Sequence, residues 1–133
     1  MQQIPVISIV DDDESVREAM KSFVRSLGYK TMTFGSAEEF LESTQAKATS
    51  CLITDVQMPG LNGGELQQRL IADGRSVPTI FVSGFLDEKI EQDVLRSGAV
   101  GYLRKPLNED RLIHYIDVAL GGLSGRNSGP SSN

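Results

Sequence analysis

Short apolar runs alternate with amphipathic stretches along most of the chain. The apolar runs lie at Val6–Val10 and at residues 30–34, 51–54, 79–82 and 100–103. The stretches between them carry apolar residues at three-and-four spacing, which is typical of a helix with one buried face. Gly28 and Gly98 follow two of these stretches, and glycine at that position favours helix termination. The pattern therefore predicts five strands that alternate with five helices.

Each predicted helix is marked by its apolar face. The five faces consist of Val16, Ala19, Met20, Phe23, Val24 and Leu27; Phe40 and Leu41; Leu66, Leu70 and Ile71; Ile90, Val94 and Leu95; and Leu112, Ile116, Ala119 and Leu120. Asp13, Asp87 and Asn108 are predicted helix caps, and Ser36 with Glu39 predicts a capping box. Residues 59–64 are rich in glycine and predict a loop before the third helix.

Strictly alternating strands and helices predict a parallel sheet in an α/β domain, because each parallel connection requires a crossover. Helices then cover both faces of the sheet. This explains why the strands are continuous apolar runs and do not alternate between apolar and polar residues.

Composition narrows the class of protein. The 133 residues suit one domain, predicted at residues 1–120, and residues 121–133 predict a flexible tail, either a linker or a cloning remnant. The net charge of -5 argues against direct binding of nucleic acid by this domain. One Cys and one His argue against a disulfide or a zinc site. No apolar segment could span a membrane and no signal peptide is recognisable, so we expect a cytoplasmic protein without membrane contact.

Polar side chains stand where four of the predicted strands end. They are Asp11 and Asp12, Asp55, Ser83 and Lys105. Ligands of open parallel sheets bind at the carboxyl ends of the strands, so we expect these side chains to converge. Two carboxylates about 4 Å apart repel by roughly 4 kcal/mol at an effective dielectric constant of about 20.

Such a cluster requires a cation. Magnesium fits best, because it prefers hard oxygen ligands and retains several waters. Lys105 adds a fixed positive charge. A divalent cation, an ammonium and a hydroxyl around a carboxylate indicate a phosphoryl site in which that carboxylate is the nucleophile.

Four motifs resemble those of the receiver domain of two-component response regulators. They are the acidic strand end at residues 9–12, the loop at residues 54–60, the hydroxyl segment at residues 82–84 and residues 98–106 with their aromatic and lysine. The resemblance covers about residues 5–120. Residues 81–84 and 98–106 look most similar to receivers joined to helix-turn-helix transcription factors. The resemblance implies a flavodoxin-like (βα)5 doubly wound sheet in the order 2-1-3-4-5, and a cis Lys105–Pro106 peptide.

By this resemblance, Asp55 accepts a phosphoryl group from a sensor histidine kinase. Magnesium is expected on Asp12, Asp55 and the backbone carbonyl of Gln57, with Asp11 acting largely through water. Lys105 and the metal would stabilise the charge on the transferring group.

The resemblance also implies a switch. Ser83 would move towards the new phosphate and Tyr102 would fill the vacated space. A partner or a second copy would then bind the face made by the fourth helix, the fifth strand and the fifth helix, and the output would be regulation of transcription. Gln57 and Phe85, each two residues beyond a site residue, are expected to tune the lifetime of the phosphorylated state.

Two other functions stay open. A magnesium-dependent phosphatase also uses an aspartyl nucleophile, but such enzymes carry an acidic residue two positions later, where this chain has Gln57. A phosphate-independent interaction module is the second alternative, and the complete set of site residues argues against it. Cys51 is expected to be an inert buried thiol, and His114 an exposed residue without a catalytic role.

Overall fold

In the computed structural model, which describes residues 4–84 and 87–121, five strands alternate with five helices. The strands are β1 (Val6–Val10), β2 (Lys30–Phe34), β3 (Cys51–Asp55), β4 (Thr79–Ser83) and β5 (Gly101–Arg104). The helices are α1 (Glu14–Ser26), α2 (Ala37–Glu42), α3 (Gly63–Ala72), α4 (Glu88–Arg96) and α5 (Glu109–Ala119). A short 3₁₀ helix at Gln45–Ala48, which the pattern did not predict, precedes β3.

All strands are parallel and form one sheet in the order β2-β1-β3-β4-β5. The predicted flavodoxin-like arrangement is therefore confirmed. The order places β1 and β3 side by side near the middle of the sheet. The chain winds outwards from this pair in both directions.

Side chains of the strands alternate between two apolar cores. On one face, Ile9 and Ile53 pack with Met20 and Val24 of α1 and with Ile116 of α5. The opposite face is covered by the other three helices, which contribute Phe40 from α2, Leu66 and Leu70 from α3, and Val94 from α4. Because both faces are covered, β3 and β4 are buried along their whole length.

Cys51 begins β3 inside the first core and is fully buried. Burial raises the pKa of its thiol to about 12. The thiolate is disfavoured in this apolar setting, as expected of an inert core cysteine. His114, by contrast, lies on the exposed side of α5.

The helix caps agree with the sequence at three positions. Asp13 accepts hydrogen bonds from the amides of Ser15 and Val16 at the start of α1. Asp87 and Asn108 cap α4 and α5 in the same way. Each cap satisfies backbone donors that the first turn leaves without a helical partner.

Other local predictions were wrong in detail. Ser36 caps α2 as predicted, but Glu39 accepts from the amide of Gly35 and not from Ser36, so the capping box is incomplete. The reciprocal capping box lies at Asn62 and Glu65, where α3 begins inside the segment predicted as loop.

Ala19 and two large apolar residues on the predicted helix faces are also less buried than expected. Ile71 is 52% exposed and Leu95 is 40% exposed. Each lies at the border of its apolar stripe and not at the centre.

Two further observations complete the fold. The Lys105–Pro106 peptide is cis, as predicted. No helix among residues 4–84 and 87–121 is both long enough and apolar enough to cross a bilayer. Apart from Gly121, the predicted tail at residues 121–133 lies outside the described residues.

Candidate functional site

The carboxyl ends of the three central strands and β5 bring the predicted site residues together. Asp11 directly follows β1, and Asp55 and Ser83 are the last residues of β3 and β4. Asp55 pairs in register with Val82, and the amide of Lys105 donates to the carbonyl of Ser83 at 2.8 Å. The sheet register alone thus places residues that are far apart in sequence at one edge.

The ammonium of Lys105 joins the two buried carboxylates. Its Nζ lies 2.8 Å from Oδ2 of Asp55 and 3.3 Å from Oδ2 of Asp11. Partial burial by itself disfavours the charged ammonium, but the hydrogen bond and negative charge of Asp55, with the charge of Asp11, outweigh it and raise the pKa of Lys105. Lys105 is therefore held as a cation at the centre of the site.

Asp11 is fully buried. Burial raises the pKa of its carboxyl above the usual 3.8, against the lowering effects of the Asp13 amide and of Lys105, and the charge of Asp55 raises it further. Two buried carboxylates that share one ammonium are thus undercompensated at neutral pH. This imbalance favours the binding of a further cation.

Asp12 completes an acidic cluster that could hold that cation. One carboxylate oxygen from each of Asp11, Asp12 and Asp55 lies within 4.8 Å of the others. Carboxylate oxygens are ligands that magnesium prefers, so the donor type of this cluster fits a hard divalent cation.

The loop after β3 is held by backbone contacts around Asp55. The amide of Gln57 donates to Oδ1 of Asp55 at 2.9 Å, and the amide of Val56 donates to the carbonyl of Val82 at 2.9 Å. The Gln57 side chain is exposed. With Oδ2 bound by Lys105, the carboxylate of Asp55 is therefore fixed in orientation while remaining at the open edge of the sheet.

The two predicted switch residues occupy neighbouring strands. Ser83 is buried at the end of β4. Tyr102 on β5 is 6% exposed and packs with Phe81 and Val94. Its hydroxyl is buried with no hydrogen-bond partner among the described residues. Phe85, predicted to tune a phosphorylated state, lies outside the described residues.

Two contributors were missed by the sequence analysis. The carboxylate of Glu38 on α2 accepts from the amide of Leu61 at 3.0 Å, which lowers the pKa of Glu38 and links α2 to the loop after β3. Gly63 begins α3, and a Cβ there would lie 2.5 Å from the carbonyl oxygen of Asp55. No local pattern reveals either contact, because each depends on how separate segments meet.

Comparisons with known proteins agree with this geometry. Residues 7–117 match the response regulator receiver domain family. The response regulator protein TmoT of Ectopseudomonas mendocina is 41% identical over 118 residues, which cover 89% of this chain and 54% of that protein. The transcriptional regulatory protein FixJ of Bradyrhizobium diazoefficiens is 32% identical over 114 residues, which cover 86% of this chain and 56% of that protein.

Solved structures give the same result. The structure of the response regulator StyR matches with a TM-score of 0.81 and 34% identity, covering 93% of this chain and 63% of that one. The crystal structure of FixJ-N matches with a TM-score of 0.80 and 28% identity, covering 92% and 98% of the two chains. The chain spans about half the length of the curated relatives it matches.

Adjacent glycines allow a test of the close approach between α3 and Asp55. Gly63→Ala should destabilise the fold by about 1 to 3 kcal/mol, because the new methyl group meets rigid backbone. Gly64→Ala is the matched control, since its Cβ would make only ordinary contacts, the nearest at 3.5 Å, and it should be neutral or stabilising by up to about 1 kcal/mol. Urea unfolding measures both, and equal effects at the two positions would contradict the steric account.

The buried charge of Asp11 should make stability depend on pH. Because the pKa of Asp11 is raised in the folded state, its charge lowers stability above that pKa, and the penalty disappears as pH falls towards 3.8. In metal-free buffer at neutral pH, Asp11→Asn should therefore stabilise the protein by about 0.5 to 2 kcal/mol. The gain should shrink towards about pH 4.

Urea unfolding with a chelator at several pH values measures this difference. Asp12→Asn is the control, because it removes an exposed charge from the same cluster and should change stability less. Destabilisation by Asp11→Asn at neutral pH would show that the buried charge is fully compensated by its neighbours.

Proposed function

Since the chain belongs to the response regulator receiver domain family, we propose that it is a phosphorylation-activated switch in which Asp55 accepts a phosphoryl group from a sensor histidine kinase. The observation that carries the proposal is the shared ammonium of Lys105, 2.8 Å from Asp55 and 3.3 Å from Asp11. A carboxylate held this way, beside two further acidic residues, has both a fixed position and a place for a cation.

In the proposed transfer, an oxygen of the ionised Asp55 carboxylate attacks the phosphorus of a phosphohistidine. The new bond is an acyl phosphate, and the phosphorus–nitrogen bond breaks with its electron pair returning to the imidazole. Lys105 keeps its positive charge throughout and stabilises the oxygens of the transferring group. The Gln57 amide holds the orientation of the Asp55 carboxylate before attack.

Magnesium is the proposed cofactor, held by Asp12, Asp55 and the backbone carbonyl of Gln57, with Asp11 acting largely through water. When bound, it would offset the negative charge that accumulates between the carboxylates and the incoming phosphoryl group. Asp11, Asp12 and Asp55 supply oxygen donors, which suits the preference of magnesium.

Phosphorylation adds about 1.5 to 2 negative charges at Asp55. We infer that Ser83 moves towards these charges and that Tyr102 changes its packing in response. The buried hydroxyl of Tyr102 has no hydrogen-bond partner within residues 4–84 and 87–121, and this supports the inference, because its free energy falls when it reaches water or an acceptor. Val94 of α4 packs in the same cluster, so a change at Tyr102 can reach that helix.

The output is proposed to be regulation of transcription through the face formed by α4, β5 and α5. Nη2 of Arg104 on β5 lies 3.9 Å from Oε1 of Glu91 on α4. Leu95 on α4 and Val118 on α5 are exposed apolar residues. A second copy of the chain or an output domain would bind there, in a cytoplasmic protein. Sedimentation of the phosphorylated chain distinguishes a dimer from a monomer.

Incubation with magnesium and acetyl phosphate tests the phosphoacceptor. Intact-mass spectrometry should show the gain of one phosphoryl group, and this gain should be lost in Asp55→Ala because the nucleophile is absent. Asp13→Asn is the matched control, since it removes a neighbouring charge but keeps a capping side chain, and it should still be phosphorylated.

Other outcomes identify the two alternative functions. Retention of the phosphoryl group in Asp55→Ala would place the acceptor elsewhere. No modification of the wild-type chain would favour a phosphate-independent module, whereas sustained turnover of added phosphate esters would favour a phosphatase.

Gln57 and Phe85 are proposed to set the lifetime of the acyl phosphate by controlling the access of water. If an apolar Phe85 shields the phosphoryl group, Phe85→Ala should shorten its half-life severalfold, while Phe85→Leu should preserve it. The loss of phosphoprotein after removal of acetyl phosphate measures this rate. An unchanged half-life in Phe85→Ala would show that Phe85 does not control the lifetime of the acyl phosphate.

A further inference from the structure

Arg17, near the start of α1, makes a contact that the phosphoacceptor chemistry does not explain. Its Nη1 donates to the backbone carbonyl oxygen of Asp11 at 2.7 Å. That carbonyl belongs to the peptide between Asp11 and Asp12, so it lies between two of the three acidic residues of the cluster. A hydrogen bond from a charged donor is shorter and stronger than one between neutral groups.

We propose that Arg17 is a positioning residue for the divalent cation, and this inference rests on the proposed function. By holding the peptide between Asp11 and Asp12, the guanidinium fixes the directions in which these two side chains project from the backbone. Arg17 would thus determine how well the acidic cluster is arranged for a metal that it does not itself touch.

The remaining polar groups of Asp11 show how completely this residue is held. Its amide donates to the carbonyl of Phe34 at 3.1 Å, its Oδ1 accepts from the Asp13 amide at 2.9 Å, and its Oδ2 accepts from Lys105. Arg17 supplies the fourth contact, at the carbonyl oxygen. Without it, the peptide that leads into the acidic loop would lose its side-chain anchor.

The guanidinium has a defined place on the neighbouring loop. A Cβ on Gly35 would lie 3.4 Å from Nη1 of Arg17 and 3.7 Å from Oε2 of Glu39. The amide of Gly35 donates to the other oxygen of Glu39 at 3.0 Å. The guanidinium of Arg17 therefore lies close to a residue without a side chain, and a larger residue at position 35 would crowd it.

Positioning and charge predict opposite effects of removing Arg17. Loss of a positive charge beside an acidic cluster would by itself strengthen the binding of a divalent cation. Loss of the hydrogen bond to the Asp11 carbonyl would weaken the binding of the cation, because the carboxylates must then be ordered when the metal binds. The sign of the change in magnesium affinity therefore separates the two roles.

The experiment compares magnesium binding to wild-type protein, Arg17→Met, Arg17→Lys and Arg25→Met by following backbone amide NMR signals. Arg25 is the matched control, because it is exposed in the last turn of the same helix and its replacement removes the same charge. A salt concentration of about 0.5 M screens effects of distant charge. Arg17→Met should raise the magnesium dissociation constant about 10-fold. Arg17→Lys should recover part of the affinity, and Arg25→Met should leave it unchanged.

Two further measurements, the first in metal-free buffer, separate positioning from a general loss of stability. The amide of Asp13, which donates to Asp11, should exchange with solvent faster in Arg17→Met than in wild-type protein. Urea unfolding with and without magnesium should show that magnesium raises the free energy of unfolding less in Arg17→Met than in wild-type protein. If Arg17→Met is less stable but magnesium raises its free energy of unfolding as much as that of the wild type, Arg17 only stabilises the fold and the inference is overturned.

Failure of this inference differs from failure of the proposed function. If wild-type protein binds magnesium and is phosphorylated, while Arg17→Met binds magnesium as tightly or more tightly, only the role of Arg17 is wrong. If the wild-type protein itself neither binds magnesium nor accepts a phosphoryl group, the proposed function fails first.

Discussion

The repulsion among three carboxylates at one edge of the sheet is the constraint on which the rest of the site depends. Lys105 offsets one negative charge through its contacts with Asp11 and Asp55. Three carboxylates and one bound ammonium leave the cluster with a net negative charge in the folded protein. This imbalance favours the binding of a cation, which would lower the repulsion among the carboxylates.

The parallel sheet explains how so unfavourable a cluster can form. Each of the participating residues follows or ends a strand whose apolar body is buried between two layers of helices. Burial of those strands stabilises the sheet as a whole, and the stable sheet then holds the polar residues near one another. Asp13 follows the same strand and caps α1 directly beside the site. The free energy that gathers the carboxylates thus comes from the core and not from the site.

Much of this arrangement could be predicted from the sequence, for physical reasons. Continuous apolar runs that end in polar residues define both the strands and the edge where ligands bind, and the family resemblance supplies the strand order. The convergence of Asp11, Asp55 and Lys105 follows from that topology. Other features could not be predicted, because they depend on contacts between segments. Gly63 and Gly64 are equivalent in sequence, yet a Cβ would strike backbone only at the first.

The same distinction applies to the contacts that orient the site. The motif residues specify which groups are present, whereas Arg17 and Glu38 hold the loops that carry them, through hydrogen bonds to backbone carbonyl and amide groups. A backbone partner leaves no signature of residue type, since any amino acid but proline offers the same amide and every one offers the same carbonyl. Chains with identical motifs can therefore hold their acidic residues with different rigidity. It follows that the affinity of such a site for a cation depends on residues outside the motifs as well as on the carboxylates within them.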